Sequence, residues 1–257
     1  MAAAPVKRSH LLLVAALLFC GAGMPLASTP LGRLYLPSWK ARHEAKIAEI
    51  HSHKVDLVLL GDSITAQYEH RGPDPWHDFR AVWQRFYADR NAVNLGFGGD
   101  ATSHLLWRMQ NGELDGITPK AAIILIGGNN LGHLHWAAPE SVQGIVTVVN
   151  EARRRLPHTG IVLISVLPSI RNAWVDRNTV EINASLARIY GEARVPGVTF
   201  VDVTNLFMRN GKVDANQFND TFHKPPEPAL HPTPEAQALM AAAIEPYVSK
   251  LMGDRPH

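Results

Sequence analysis

With 257 residues, 46% of them hydrophobic and 19% charged, the chain has the composition of a folded globular protein rather than a disordered or fibrous one. Its length fits one large α/β domain. Such a chain buries about 70–75% of its unfolded surface, enough for a core without disulfide staples. Twenty-five basic against 23 acidic residues, formally +2, is too even a balance for electrostatic capture of nucleic acid or an anionic membrane surface.

The first stretch, MAAAPVKRSHLLLVAALLFCGAGMPLAS, carries cations at Lys7 and Arg8, an apolar run from Leu11 to Phe19, and then small residues. This pattern predicts a secretory signal peptide over about residues 1–27, with an apolar run too short to span a bilayer. Its removal takes the single cysteine, Cys20, and both early cations, leaving 23 basic against 23 acidic residues. The expected product is one secreted or periplasmic domain, 28–257, with no disulfide and no stable membrane span. Self-association stays open.

Helical spacing of Trp39, Ile47 and Ile50 predicts a helix over 37–53, followed by a strand at 55–60. The next helix, 76–90, places Phe79, Val82, Trp83 and Phe86 on one face, and AVNLGF at 92–97 reads as the second strand. A helix through 103–109 leads to a third strand, AAIILIG at 121–127, apolar throughout as a doubly buried parallel strand requires. Helices at 139–155 and 175–193 flank a strand at 160–167; a fifth strand at 198–203 precedes a last helix at 234–250. In that last helix Thr233 is placed to cap and Pro234 to occupy the first position. Five β-α units without repeats or a linker predict a three-layer α/β/α domain around a five-stranded parallel, flavodoxin-like sheet.

In such a sheet, ligands bind at the carboxyl ends of the strands. There the sequence places Gly61-Asp62-Ser63, then GFGGD (96–100), then GGNN (127–130), with His231 in the loop before the last helix. Each is bland alone: Asp and Ser after a strand are ordinary caps, and a glycine there is usually a turn. Together they supply a nucleophile, a base and oxyanion donors, the requirements of acyl transfer.

The blocks LLGDSIT, VNLGFGGDATSHLLWRMQNGELDGITPK, LIGGNN and LHPTPEA, in that order, resemble those of the SGNH or GDSL hydrolases. The likeness is closest to the branch with the catalytic subunits of platelet-activating-factor acetylhydrolase, and it runs from about Trp39 to the last helix. It implies Ser63 as nucleophile and His231 as general base. It further implies an oxyanion hole of Ser63 N–H, Gly99 N–H and the Asn129 amide, and a substrate pocket of Ile64, Gly128 and Leu230. Gly128 stands where close relatives often carry threonine, which leaves room for acyl groups larger than acetyl. Within the long block, Leu106, Trp107 and Met109 are expected to pack, and Arg108 and Glu113 to meet internally.

One departure stands out. The family's aspartate three residues before the histidine is Pro228 here, and Glu227 is the nearest acid. Glu227 is therefore the expected partner of His231, with Asp220 or a backbone carbonyl as alternatives. Loss of that partner altogether would leave a non-catalytic carbohydrate- or envelope-binding module. The expected activity is hydrolysis of a small-molecule ester of a sugar or lipid, with no cofactor, metal or nucleic acid. GFGGDA (96–101) fits a dinucleotide fingerprint but puts Asp100 where a pyrophosphate needs N–H groups. His133 and His135 form an H-x-H without a third ligand, and His51 and His53 suit a helix C-terminus.

Overall fold

The computed structural model describes residues 25–74 and 77–257. Apart from Pro25, Leu26 and Ala27, the predicted leader lies outside these residues. Those three begin a segment packed into the body: Ala27 is fully buried and its carbonyl accepts a 2.7 Å hydrogen bond from Thr102 Oγ1.

The order of elements follows the sequence expectation. Helix α1 (Pro37–Ser52) precedes strand β1 (Leu57–Gly61), the short helix α2 (Ser63–Ala66), α3 (Arg80–Phe86) and β2 (Ala92–Gly96). Then come α4 (Thr102–Arg108), β3 (Ala121–Leu125), α5 (Gly128–Gly132), α6 (Ala138–Arg155) and β4 (Gly160–Ile164). Helix α7 (Ala173–Tyr190), β5 (Val198–Val201), a small hairpin of β6 (Met208–Arg209) and β7 (Lys212–Val213), and α8 (Pro234–Met252) complete it. Strands β1 to β5 form one parallel sheet in the order β2-β1-β3-β4-β5, the doubly wound arrangement with a switch point between β1 and β3.

Alternation along each strand sends side chains to two cores. Val58, Leu60, Val93, Leu95, Ile124 and Leu163 meet the helices α4, α6 and α7 on one face. Leu57, Leu59, Ile123, Leu125, Val162 and Ile164 meet α3 and α8 on the other. The helix expected over 76–90 forms only as Arg80–Phe86. Before it, Arg71 and Asp78 pair as an isolated antiparallel bridge, and beyond it Tyr87 leaves helical geometry.

The strand ends are narrow because they are glycines. A Cβ on Gly61 would lie 2.5 Å from the Leu125 carbonyl oxygen, and one on Gly96 2.3 Å from the Ala66 nitrogen. Any larger residue would push α2 off the sheet edge, and α2 carries Ser63.

Candidate active site

The turn after β1 separates two jobs that Gly-Asp-Ser could combine. Asp62 caps α2, its Oδ1 accepting the Ile64 N–H at 3.0 Å. That frees Ser63, whose Oγ lies 2.9 Å from His231 Nε2. Asp62 is 2% exposed; burial pushes its carboxyl up to about 6, against the opposing Ile64 hydrogen bond.

His231 is held by Asp220, eleven residues earlier, and not by Glu227. Asp220 Oδ1 accepts from His231 Nδ1 at 2.7 Å, while Oδ2 accepts the backbone N–H groups of Leu230 at 2.8 Å and His231 at 2.5 Å. Burial alone would raise the Asp220 carboxyl; the ring and backbone hydrogen bonds outweigh it and hold the group below its ordinary value. Glu227 is exposed and lies 3.6 Å from His223, which corrects the sequence expectation. The cause is a loop closing on itself: Asn219 N–H donates to the His231 carbonyl, Glu227 N–H to the Asp220 carbonyl, and Phe218 bridges Pro232. Distance along the chain says nothing about such a closure.

The three candidate oxyanion donors stand just beyond the ends of β1, β2 and β3. The backbone N–H groups of Ser63 and Gly99 have no acceptor among the described residues, and one amide hydrogen of Asn129 is fixed on the Asp100 carbonyl at 2.9 Å. Gly99 adopts φ +73°, a conformation that costs glycine little. Beneath this rim runs a buried charge network. Asp100 accepts from Trp39 Nε1 at 2.8 Å and from Arg108 Nε at 2.8 Å. Arg108, fully buried, also pairs with Glu113, stacks on Phe97, and donates to the carbonyls of Leu95 and Gly61, both at 3.1 Å. One guanidinium therefore ties the end of β2 to the residue before Asp62, and its expected internal contact with Glu113 is present.

A cleft of about 460 Å³ opens on one side of Ser63, lined by Arg42, Gln67, Glu69, His70, His223 and His231 among others. The remaining sequence-predicted residues divide. Ile64 is 4% exposed and packs into the core with Tyr68 and Leu59, so its side chain does not belong to the substrate pocket. Leu230 is half-buried in the loop between Asp220 and His231. Gly128 leaves open space, since a Cβ there would meet only Asp62 Oδ2, at 3.9 Å. Asp220, His223 and Glu227 lie close enough to share an ion, but Asp220 has both oxygens committed to the His231 loop. The histidines His70 and His223 carry no spacing signal that would have placed them beside Ser63. Asp100, tied to Trp39 and Arg108, makes the GFGGD turn a support for the oxyanion rim.

Residues 59–239 match the model of the GDSL-like Lipase/Acylhydrolase family. The chain is 33% identical over 130 residues to platelet-activating factor acetylhydrolase IB subunit alpha1 of Bos taurus, covering 51% of each chain. It thus spans about half the length of the first curated relatives it matches. To subunit alpha2 of Gallus gallus it is 26% identical over 229 residues, 85% of this chain and 86% of that one. Among solved structures, a GDSL-like lipase from Bacteroides thetaiotaomicron superposes with a TM-score of 0.60 at 18% identity, over 82% of this chain and 97% of its own. A carbohydrate acetylesterase family member from Sinorhizobium meliloti gives 0.57 at 16% identity, over 78% and 100%. These two likenesses concern the fold.

Proposed function

Because the chain belongs to the GDSL-like lipase/acylhydrolase family, we propose that it is an ester hydrolase that cleaves short-acyl esters of a sugar or lipid through an acyl-enzyme on Ser63. The observation that carries this is the Ser63–His231–Asp220 line, with 2.9 Å and 2.7 Å links. As Ser63 Oγ attacks the ester carbonyl carbon, His231 Nε2 takes its proton. Asp220 holds the ring in the tautomer with Nδ1 protonated and stabilises the imidazolium that forms. The carbonyl oxygen, now negative, is received by Ser63 N–H, Gly99 N–H and Asn129 Nδ2. His231 returns the proton to the departing alkoxide; water, activated by the same imidazole, then releases the acid and restores Ser63.

The cleft argues for a polar alcohol part. Gln67, Glu69, Arg42 and the histidines bring hydrogen-bonding groups to its wall, which a hydroxylated ring can use. A non-catalytic binding module rested on a missing acid beside His231, and Asp220 removes that ground. Export is part of the same reading, carried by the first 27 residues. Fractionation of cells producing the full chain, with the mass of the exported protein, tests it; recovery in the cytoplasm alone would oppose it.

The deciding experiment is hydrolysis of p-nitrophenyl acetate by the protein and by Ser63→Ala. Activity that disappears in the variant is expected. Equal rates near background for both proteins would overturn the mechanism.

A further inference from the structure

Residues 25–36 run along the body before α1, and one of their side chains reaches the oxyanion rim. The Ala27 carbonyl accepts from the Thr102 hydroxyl at 2.7 Å, and Leu31 N–H donates to the Ser103 carbonyl at 3.1 Å. Gly32 lies so close to the Trp107 indole that a Cβ there would stand 2.8 Å from it. These contacts deliver Arg33 to the turn after β2, where Nη1 donates to the Gly98 carbonyl at 3.2 Å and to Asp100 Oδ1 at 3.3 Å. Arg33 lies outside residues 59–239, the stretch that matches the family.

The carbonyl contact matters because of the peptide it touches. Asp100 N–H donates to the Phe97 carbonyl at 3.2 Å, closing a β-turn with Gly98 and Gly99 at its centre. Gly99 has φ +73°, whereas Gly98 has no positive φ, which is the type II form. Types I and II share their ends and differ by a flip of the central peptide, here the one joining Gly98 to Gly99. The ends of this turn are fixed: Phe97 N–H donates to the Gly61 carbonyl at 3.2 Å, and Asp100 is held by Trp39, Arg108 and Asn129. The two glycines between them accept either orientation, since glycine takes positive and negative φ about equally. Selection therefore falls to a group outside the turn, and Arg33 supplies a charged donor to the Gly98 carbonyl. In a planar trans peptide N–H and C=O point opposite ways, so a carbonyl held on the guanidinium directs the Gly99 N–H away from Arg33. The flip would reverse both groups, withdrawing the N–H and presenting a carbonyl oxygen in its place.

We propose that Arg33 is a positioning residue, which keeps the peptide between Gly98 and Gly99 in the orientation whose N–H receives the oxyanion. This rests on the esterase reading and adds to it a residue that acts through that peptide. Asp100 retains Trp39 and Arg108 without Arg33, so the ion pair is not the contact the turn would miss.

The test replaces Arg33 by methionine and by lysine and follows p-nitrophenyl acetate hydrolysis. Arg33→Met should lower kcat/KM about tenfold. That lies between the about twofold loss of a peptide divided evenly between two orientations and the hundred- to thousandfold cost of losing an oxyanion donor outright. Inhibition by 1,1,1-trifluoroacetone, which adds to Ser63 as a hemiketal oxyanion, should weaken by the same factor. A mere loss of folded protein would leave the affinity of the remaining sites unchanged. Both Arg33 contacts run through one nitrogen, so Arg33→Lys should restore part of each quantity. Thermal melting checks folding, and Arg33→Gln takes the place of Arg33→Met should that variant not fold. Wild-type kcat/KM and inhibitor affinity in Arg33→Met would overturn the proposal. If the wild type hydrolyses no ester, the esterase reading fails on its own, and crystal structures of wild type and Arg33→Met decide for Arg33. A Gly98 carbonyl on Arg33 in the wild type, reversed or divided between two orientations in the variant, supports the proposal. The same single orientation in both proteins refutes it, whatever their rates.

Discussion

Replacing Asp62 by asparagine isolates the energetic cost of ionising a carboxyl beneath the nucleophile. The carboxyl is raised from 3.8 to about 6, chiefly by burial, and each pKa unit corresponds to about 1.4 kcal/mol. The folded protein therefore binds this proton more tightly than the unfolded chain does. Its contribution to stability is fully present below pH 3.8 and is lost as pH rises through about 6, a total of about 3 kcal/mol. The substituted carboxamide carries no charge at any of these pH values, and its side-chain oxygen still accepts from Ile64 N–H. Urea unfolding of wild type and Asp62→Asn, followed by tryptophan fluorescence at pH 4 and pH 7.5, subtracts every other titrating group. The variant should gain about 2–3 kcal/mol on the wild type between the two pH values. Parallel stabilities across that range, or a relative gain by the wild type, would refute the reasoning.

Exchanging the two candidate acids separates them: Asp220→Asn should lower kcat about ten-thousandfold through the wrong tautomer, whereas Glu227→Gln should stay within about twofold. A large loss in the second variant would return the role to Glu227. Asn129→Ala should cost about a hundred- to a thousandfold in kcat, and a loss under tenfold would remove the amide from the oxyanion hole. Arg108→Met removes the fully buried cation that Asp100 and Glu113 share, leaving them only Arg33, Trp39 and His43, and should destabilise by about 3–5 kcal/mol in denaturant titration; a change below about 1 kcal/mol would mean that water and the remaining partners replace the guanidinium.

Why the sequence yields some of this and not the rest follows from how each feature is encoded. Strands such as Ala121–Leu125 are buried on both faces, so their apolar runs are unmistakable, and the β-α alternation then determines the layers. Ser63, Gly99 and Asn129 each follow a strand closely, and strand ends are the best-marked points of such a chain. Asp220 has no such address. It lies in a 3-10 turn, Asn219–Phe222, within a loop closed mainly by backbone groups: the carbonyls of Asp220 and His231 accept from Glu227 and Asn219, and the Leu230 and His231 N–H groups donate to Asp220 itself. Ile64 misleads for a related reason: it neighbours the nucleophile in sequence, but the first turn of α2 aims it into the core. Helix α1 buries His43 and Lys46 along with Trp39 and Ile50, because His43 joins the charge network through Glu113 at 2.9 Å and Lys46 pairs with Glu49 and Glu69. Hydrophobic periodicity does not register polar groups buried to satisfy one another.

The separation of Ser63 from His231 by 168 positions bears on the protein's birth. All five strands of the sheet have been synthesised by Val201, before Asp220, His231 or α8 exists. A nascent chain at that stage holds its nucleophile and oxyanion donors yet has no base. Helix α8 then covers the second core and reaches the nucleophile turn through Gln237, whose amide donates to the Ile64 carbonyl at 2.8 Å. Competence arrives with the last fifth of the chain. On the proposed mechanism, ester turnover would report completed assembly, and a chain arrested or clipped before His231 would lack its base.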